Sequence, residues 1–247
     1  MIVIAHISDL HLDGEDRAAE RTDRVIRFLA GLANPVDAVV VTGDIADHGR
    51  TDEYEQARKL IDLPVPAFPC PGNHDVRAPY RQVLLGETGG DSPINRVHRA
   101  AGVVFAMCDS SIPGRDDGYL ADETIAWLDT VLAEEDPDQP AFVCFHHPPV
   151  PIGIAPVDRI RQFGAERLAE VVERHPRVVG LLCGHAHTPA ATTFAGRPLL
   201  VAPGVASTGI LTPWEAGSPL DFTSPPAIAF HLLDDDRRLT THYRVIV

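Results

Sequence analysis

Short apolar runs rich in β-branched residues alternate, over roughly the first 190 residues, with longer stretches whose apolar positions recur at helical spacing. The runs at 2–7, 39–42, 65–69, 103–108, 141–145 and 178–183 read as buried strands. Between them, Val25, Phe28 and Leu29 fall on one face of a helix, as do Ile125, Leu128, Val131 and Leu132, and again Leu168, Val171 and Val172. Strands that are apolar on both sides and alternate with amphipathic helices predict an α/β domain in layers, with the central strands covered on both faces. Beyond Leu199 the helical pattern fades, and runs at 227–233 and 241–247 suggest an antiparallel meander completing a second sheet. The intervening residues 205–226, rich in Gly, Pro, Ser and Thr, are too many for a simple connector; they predict a lid, a contact with another subunit, or an ordered loop.

Composition narrows the class. With 247 residues, 45% of them hydrophobic and 23% charged, the chain is long enough for one sizeable α/β domain spanning residues 1–247. A net charge of −14 argues against a partner such as a nucleic-acid polymer, which is bound by displacing counterions with a basic surface. The first residues, MIVIAHISDL, lack a basic leader and are broken by His6, and no run reaches the ~18 apolar residues of a membrane span. Cys70, Cys108, Cys144 and Cys183 lie at or beside strand-like runs and form no CxxC pair, so reduced core thiols in a cytoplasmic protein are expected.

The chemistry is concentrated where the strands end. Run one leads into Asp9 and His11, run two into Gly43 and Asp44, and run three into Gly72, Asn73, His74 and Asp75. The run at 141–145 leads into His146 and His147, and the run at 178–183 into Gly184, His185 and His187. Any one of these reads equally well as a polar turn, since Gly, Asp and Pro form turns everywhere. Five of them in succession, each directly after an apolar strand, are better explained by convergence, because ligands collect at the carboxyl ends of strands in open α/β sheets. Imidazoles, carboxylates and an amide, without a thiolate, form a donor set for iron, manganese, zinc or cobalt rather than calcium.

The ordered set Asp9-x-His11, Gly43-Asp44, Gly72-Asn73-His74-Asp75, His146-His147-Pro148 and Gly184-His185-x-His187 resembles the motif series of calcineurin-like metallophosphoesterases. SIPGRDDGYL and HHPPVPIGIAPVDRI are most similar to the class III cyclic nucleotide phosphodiesterases and their glycerophosphodiesterase relatives. The resemblance implies an αββα sandwich of two mixed sheets flanked by helices, holding two divalent or mixed-valence transition-metal ions. It implies Asp9, His11, Asp44 and His187 on one ion and Asp44, Asn73, His146 and His185 on the other, with Asp44 bridging. Either His146 or His147 could reach inward; the resemblance favours His146, two residues before the proline, leaving His147 to brace a neighbour or face the core.

Two divalent ions set against two aspartates leave a cationic surplus, which suits a monoanionic diester inside an acidic protein, and the neutral amide of Asn73 preserves it. His74 is the candidate acid for the departing alkoxide, the alternative being a group that orients another side chain. Asp75 is expected to orient His74 or cap the next segment of chain, while Asp47 and His48 stay unassigned. The implied substrate is a small phosphodiester, 3′,5′-cyclic nucleotides first and glycerophosphodiesters as the alternative. A nonenzymatic docking module on the same fold would have lost ligands, and none is missing here; a nuclease or protein phosphatase is disfavoured by the acidic charge. The resemblance also leaves room for a homodimer or higher oligomer.

Overall fold

The computed structural model describes every residue except 135, 137, 212, 213 and 216. In chain order it contains β1 (Ile2–Ile7), α1 (Asp16–Ala30), β2 (Ala38–Thr42), α2 (Thr51–Leu60), β3 (Ala67–Cys70), and α3 (Arg77–Tyr80), which runs on into a π turn at Arg81–Leu85. Next come β4 (Arg96–Ala100), β5 (Val103–Met107), β6 (Gly118–Tyr119), α4 (Asp122–Glu134), β7 (Ala141–Cys144), α5 (Ala155–Arg159), β8 (Gln162–Phe163), α6 (Ala165–Arg174) and β9 (Val178–Cys183). Among the described residues the remaining elements are strands: β10 (Ala190–Phe194), β11 (Arg197–Val201), β12 (Thr208–Gly209), β13 (Leu220–Asp221), β14 (Ala227–Leu233) and β15 (Leu239–Val245).

Two mixed sheets face each other, one in the order β15-β14-β1-β2-β3 and the other β10-β11-β9-β7-β5-β4. Strand alternation explains the layers. In β2, Val39 and Val41 pack toward α1 and α2, while Ala38 and Val40 point into the space between the sheets. In β7, Val143 packs toward α4 and α6, whereas Phe142 and Cys144 meet Ile4, Phe68 and Phe105 between the sheets. Helices therefore cover both outer faces, and the expected αββα sandwich is the observed fold. All four cysteines are buried and free.

Two expectations are refined. The C-terminal hairpin completes not a second sheet but the one that opens the chain: β14 pairs antiparallel with β1, Ile2 opposite Leu233. The run at 65–69 starts late as β3, after the prolines at 64 and 66, which cannot donate to a ladder. Hydrophobic patterning also misses β4, the β10–β11 hairpin and α2. The hairpin turns on Ala195 and Gly196, both with positive φ (48° and 70°), as a two-residue turn between right-twisted strands requires. α2 has little apolar face; only Tyr54, Ala57 and the carboxylate of Glu53 are buried. That carboxylate accepts the N–H of Arg50 at 3.0 Å and the N–H of His48 at 3.0 Å, closing the helix start.

Within each sheet the site-bearing strands are parallel: β1 with β2, β2 with β3, β5 with β7, β7 with β9. Their carboxyl ends consequently emerge on one rim, where the loops of both sheets meet. Residues 205–226 cross this rim and carry the small antiparallel ribbon β12–β13, with Thr208 opposite Asp221; positions 212, 213 and 216 of that stretch lie outside the described residues.

Candidate metal centre

The loops on the rim are knitted by their own backbones. Asp9 N–H donates to Gly43 O (3.1 Å), His11 N–H to Asp44 O (2.9 Å), and Gly184 N–H to His146 O (2.9 Å). The two sheets are joined where His185 N–H reaches the Asp9 carboxylate at 3.2 Å. Asp75 works as a staple, accepting from the N–H groups of Gly72, Ile45 and Ala46 and from the Tyr54 hydroxyl. It neither reaches the cluster of donors nor touches the His74 ring, so its part is to hold the turns after β2 and β3 together.

This knitting holds strained backbone in place. Asp9, His11, Asp44, His185 and His187 all have positive φ (56°, 42°, 48°, 70° and 55°). The left-handed region costs an L-residue roughly 1–2 kcal/mol, and such strain persists only where surrounding contacts over-determine it. Glycine is needed where the loops touch: at Gly43, with φ +87°, a Cβ would lie 2.5 Å from His146 Nδ1.

The side chains of the five blocks come together. Asp44 Oδ1 is fixed by the N–H of His74 at 2.9 Å. Its Oδ2 lies 3.5 Å from His11 Nε2 on one side and 3.2 Å from His146 Nε2 on the other. His187 Nε2 is 3.5 Å from Asp9 Oδ1 and 3.1 Å from His11 Nε2. His185 Nδ1 is 3.2 Å from His146 Nε2. Among the described residues, Asn73 Oδ1 is buried with no hydrogen-bond partner, as is His185 Nε2.

Most of these imidazoles are braced from behind. His11 Nδ1 donates to Asp47 Oδ1 (2.7 Å), His146 Nδ1 donates to Thr42 O (2.6 Å), and His187 Nδ1 meets Ser207 Oγ (2.7 Å). A nitrogen committed to an outer partner fixes the ring and turns the other nitrogen's lone pair inward, the habit of metal-bound histidines. His147 differs: its Nδ1 meets Ser110 Oγ at 2.8 Å and its Nε2 meets Asp116 O at 3.2 Å, so both nitrogens are engaged. Between the two adjacent histidines, then, only His146 keeps a nitrogen facing Asp44, and His147 braces the loop that carries Asp116.

Electrostatics sharpen the picture. Burial alone would drive the His146 imidazole toward neutrality, but Asp44 and Asp9 outweigh it and lift its pKa to about 9. Burial would raise Asp44, yet His146 and His11 hold it well below the ordinary carboxylate range. Burial, reinforced by His146, pushes His185 well down. Imidazole nitrogens aimed at one another across 3.1–3.2 Å, beside two carboxylates and an orphaned amide oxygen, have no mutual hydrogen-bond solution that satisfies all of them. Cations between them do, and the mixed nitrogen and oxygen donors fit a pair of transition-metal ions.

Sequence reasoning misses the braces. Asp47 has no role assignable from its position alone, and Thr42, Ser110 and Ser207 carry no signal, because a hydroxyl or carbonyl that supports a ligand has no fixed spacing from it. His74, half exposed beside the donors, gives its Nδ1–H to Asp47 O at 2.7 Å and lies edge-on to His11, ring centres 4.5 Å apart. It borders a cavity of about 470 Å³ together with His11, Asp44, Asn73, His185 and His187.

A two-sheet αββα sandwich with a histidine–aspartate cluster on its rim defines a dimetal phosphoesterase. Residues 2–189 match the calcineurin-like phosphoesterase family, and the chain belongs to it. It is a metal-dependent hydrolase of phosphate esters. The glycerophosphodiester phosphodiesterase GpdQ of Enterobacter lignolyticus is 36% identical, over 93% of this chain and 86% of that protein. A cAMP/cGMP dual specificity phosphodiesterase of Mycobacterium tuberculosis is 34% identical, over 87% of this chain and 71% of that protein. A dimetal phosphatase from Danio rerio superposes with a TM-score of 0.75 at 19% identity, covering 100% of this chain and 96% of the other, a likeness of fold. Among the described residues no helix is long and apolar enough to cross a membrane.

Proposed function

We propose that the protein hydrolyses small phosphodiesters, 3′,5′-cyclic nucleotides first among them, at a centre of two transition-metal ions drawn from iron, manganese, zinc and cobalt. Asp9, His11, Asp44 and His187 hold one ion, and Asp44, Asn73, His146 and His185 the other. The observation that carries this reading is the placing of Asp44 Oδ2 between His11 Nε2 and His146 Nε2, at 3.5 and 3.2 Å, as a bridging carboxylate requires. When bound, such a pair lowers the pKa of water toward neutrality and neutralises charge on the transferring phosphoryl group.

The chain's own residues do the rest. Asp47, Thr42 and Ser207 hold His11, His146 and His187 in the tautomer that presents a lone pair inward. His74, its Nδ1–H committed to the Asp47 carbonyl, keeps Nε2 for the cavity, where as an imidazolium it gives the Nε2 proton to the departing alkoxide and is left as the neutral Nδ1–H tautomer. Asp13, Asp47 and Asp116 line the same cavity and disfavour a second negative charge, which favours monoanionic diesters over monoesters. Similarity to cyclic nucleotide phosphodiesterases supports the leading substrate, and similarity to GpdQ supports glycerophosphodiesters as the second reading.

Metal analysis of the purified protein, combined with a panel of cyclic AMP, 2′,3′-cyclic AMP, glycerophosphocholine and a nitrophenyl diester, tests the proposal. Two equivalents of transition metal and turnover of cyclic AMP above the others are expected. Diester turnover that survives exhaustive removal of metal would overturn the centre; turnover of glycerophosphocholine alone would overturn the leading substrate.

A further inference from the structure

The metal-binding donors occupy one side of the cavity; the side facing them is apolar, built from Pro156, Val157, Ile160, Leu220 and Phe222. A cavity of about 470 Å³ with a polar floor and an apolar wall has room for a whole nucleotide as well as for smaller diesters. At the mouth, the Arg17 guanidinium lies over the Phe222 ring, 4.1 Å from its centre. Both line the cavity, and both are exposed. Arg17 has no hydrogen bond or ion pair among the described residues, so its planar cation is free to meet a ligand.

The pair is held, not left to wander. One turn along α1 from Arg17, the buried Arg21 donates from Nε to Val205 O (2.7 Å) and from Nη1 to Phe222 O (3.4 Å). That ties both stems of the β12–β13 ribbon to the helix. Asp221, next to Phe222, accepts from Thr223 N–H (2.8 Å) and Thr223 Oγ1 (2.6 Å), fixing the turn that presents the ring.

We propose that Arg17 and Phe222 form the subsite for the planar base of a cyclic nucleotide and set the preference for nucleotides over aliphatic diesters. A purine gains from stacking on a guanidinium or an aromatic ring and from apolar contact with Val157, Ile160 and Leu220, whereas a glycerol or choline moiety has no flat face to offer. The inference rests on the phosphodiesterase reading above but is separable from it.

The test uses metal-loaded protein and compares kcat/KM for cyclic AMP with that for glycerophosphocholine in the wild type, Phe222→Ala, Phe222→Leu, Phe222→Trp and Arg17→Ala. Loss of one stacking partner predicts a fall of about tenfold in the ratio of the two specificity constants for Phe222→Ala and Arg17→Ala, carried by KM for cyclic AMP rather than kcat. Phe222→Leu, which keeps apolar bulk without a flat ring, shows the same shift, and Phe222→Trp restores the ratio. Equal losses on both substrates overturn the base subsite, as does a selective loss on glycerophosphocholine, which would give the wall to the choline group. A wild type that neither hydrolyses cyclic AMP nor binds adenosine 5′-monophosphate by calorimetry overturns both this inference and the leading substrate; hydrolysis with an unaltered ratio overturns this inference alone.

Discussion

Two regions border the same cavity and are held in opposite ways. The loops after β1, β2, β3, β7 and β9 are cross-linked, with Asp9, Asp44, His146, His185 and His187 all buried, and those after β1, β2 and β9 hold ligand candidates at positive φ. Residues 205–226 start buried at Val205, Ala206 and Ser207, where Val205 N–H donates to Ser8 O and Ala206 N–H to Asp9 O (3.0 Å each), but among the described residues Leu211 (43%) and Trp214 (77%) stand out in solvent, and the far stem at Phe222 is held by Arg17 and Arg21 of a single helix. The contrast teaches a division of labour. Positions proposed to hold cations are over-determined, while the wall proposed to meet the variable part of a substrate hangs on fewer contacts.

Asp44→Ala should break the rigid side outright. With the proposed bridging carboxylate gone, kcat/KM falls on the order of 10³-fold or more, and metal analysis of the purified variant gives fewer than two equivalents; a variant that keeps both ions and full rate would refute the bridge. His74→Ala comes next: turnover of an alkyl-leaving diester drops by about 10²–10⁴-fold while a nitrophenyl ester, whose leaving group needs no proton, is largely spared. Equal losses on both would remove His74 from the acid role and leave it an orienting one.

Asp47→Ala sharpens the comparison more gently. It leaves every proposed ligand in place but frees His11 Nδ1, so metal affinity measured by competition with a chelator should weaken by about 10–100-fold. Ser207→Ala, which unbraces His187 from the looser region, should fall at or below the lower end of that range; an effect exceeding that of Asp47→Ala would mean that residues 205–226 belong with the rigid side.

A test of stability rather than of activity lies beneath the rigid loops. His6 and His231, buried side by side, form a hydrogen-bonded chain from Thr42 to Thr241 through contacts of 2.8, 3.0 and 2.8 Å. Burial lowers His231 to about 3 and, together with His231 itself, pushes His6 well below the ordinary value. The unfolded chain takes up protons on these residues near pH 6.5, whereas the folded one resists until far lower. Stability is therefore fully present above about pH 6.5 and drains away as the pH falls toward 3, by up to ~1.4 kcal/mol per pH unit for each group. Denaturant titrations of the metal-free protein between pH 7.5 and 5 should show a shallower pH slope for His6→Leu/His231→Leu than for the wild type; identical slopes would contradict the buried neutral pair.

How far the sequence could be read differs from element to element. β1, β2, β5, β7 and β9 announce themselves because a strand buried on both faces must be apolar throughout, and α1, α4 and α6 because a helix with one buried face must repeat that face every turn. α2 and β4 give no such signal: the first is anchored by the buried Glu53 carboxylate and the Tyr54 hydroxyl, the second lies at a sheet edge where burial is partial. The candidate ligands are legible because each is attached to a strand end and stands in a short block. Their braces are not, since Asp47 reaches His11 across 36 residues, Ser110 reaches His147 across 37, and Ser207 reaches His187 across 20.

By itself, then, the sequence determined the strands buried on both faces, the amphipathic helices α1, α4 and α6, and the donor blocks just beyond the strands, all of which depend on residues close together in sequence and on hydrophobic periodicity. Only the tertiary structure decided that His146 rather than His147 faces Asp44, that the C-terminal hairpin joins the sheet of β1, and that Arg17 meets Phe222 over the cavity. Those outcomes turn on how far-separated segments pack and on where each polar atom finds its hydrogen-bond partner, and no local pattern records either.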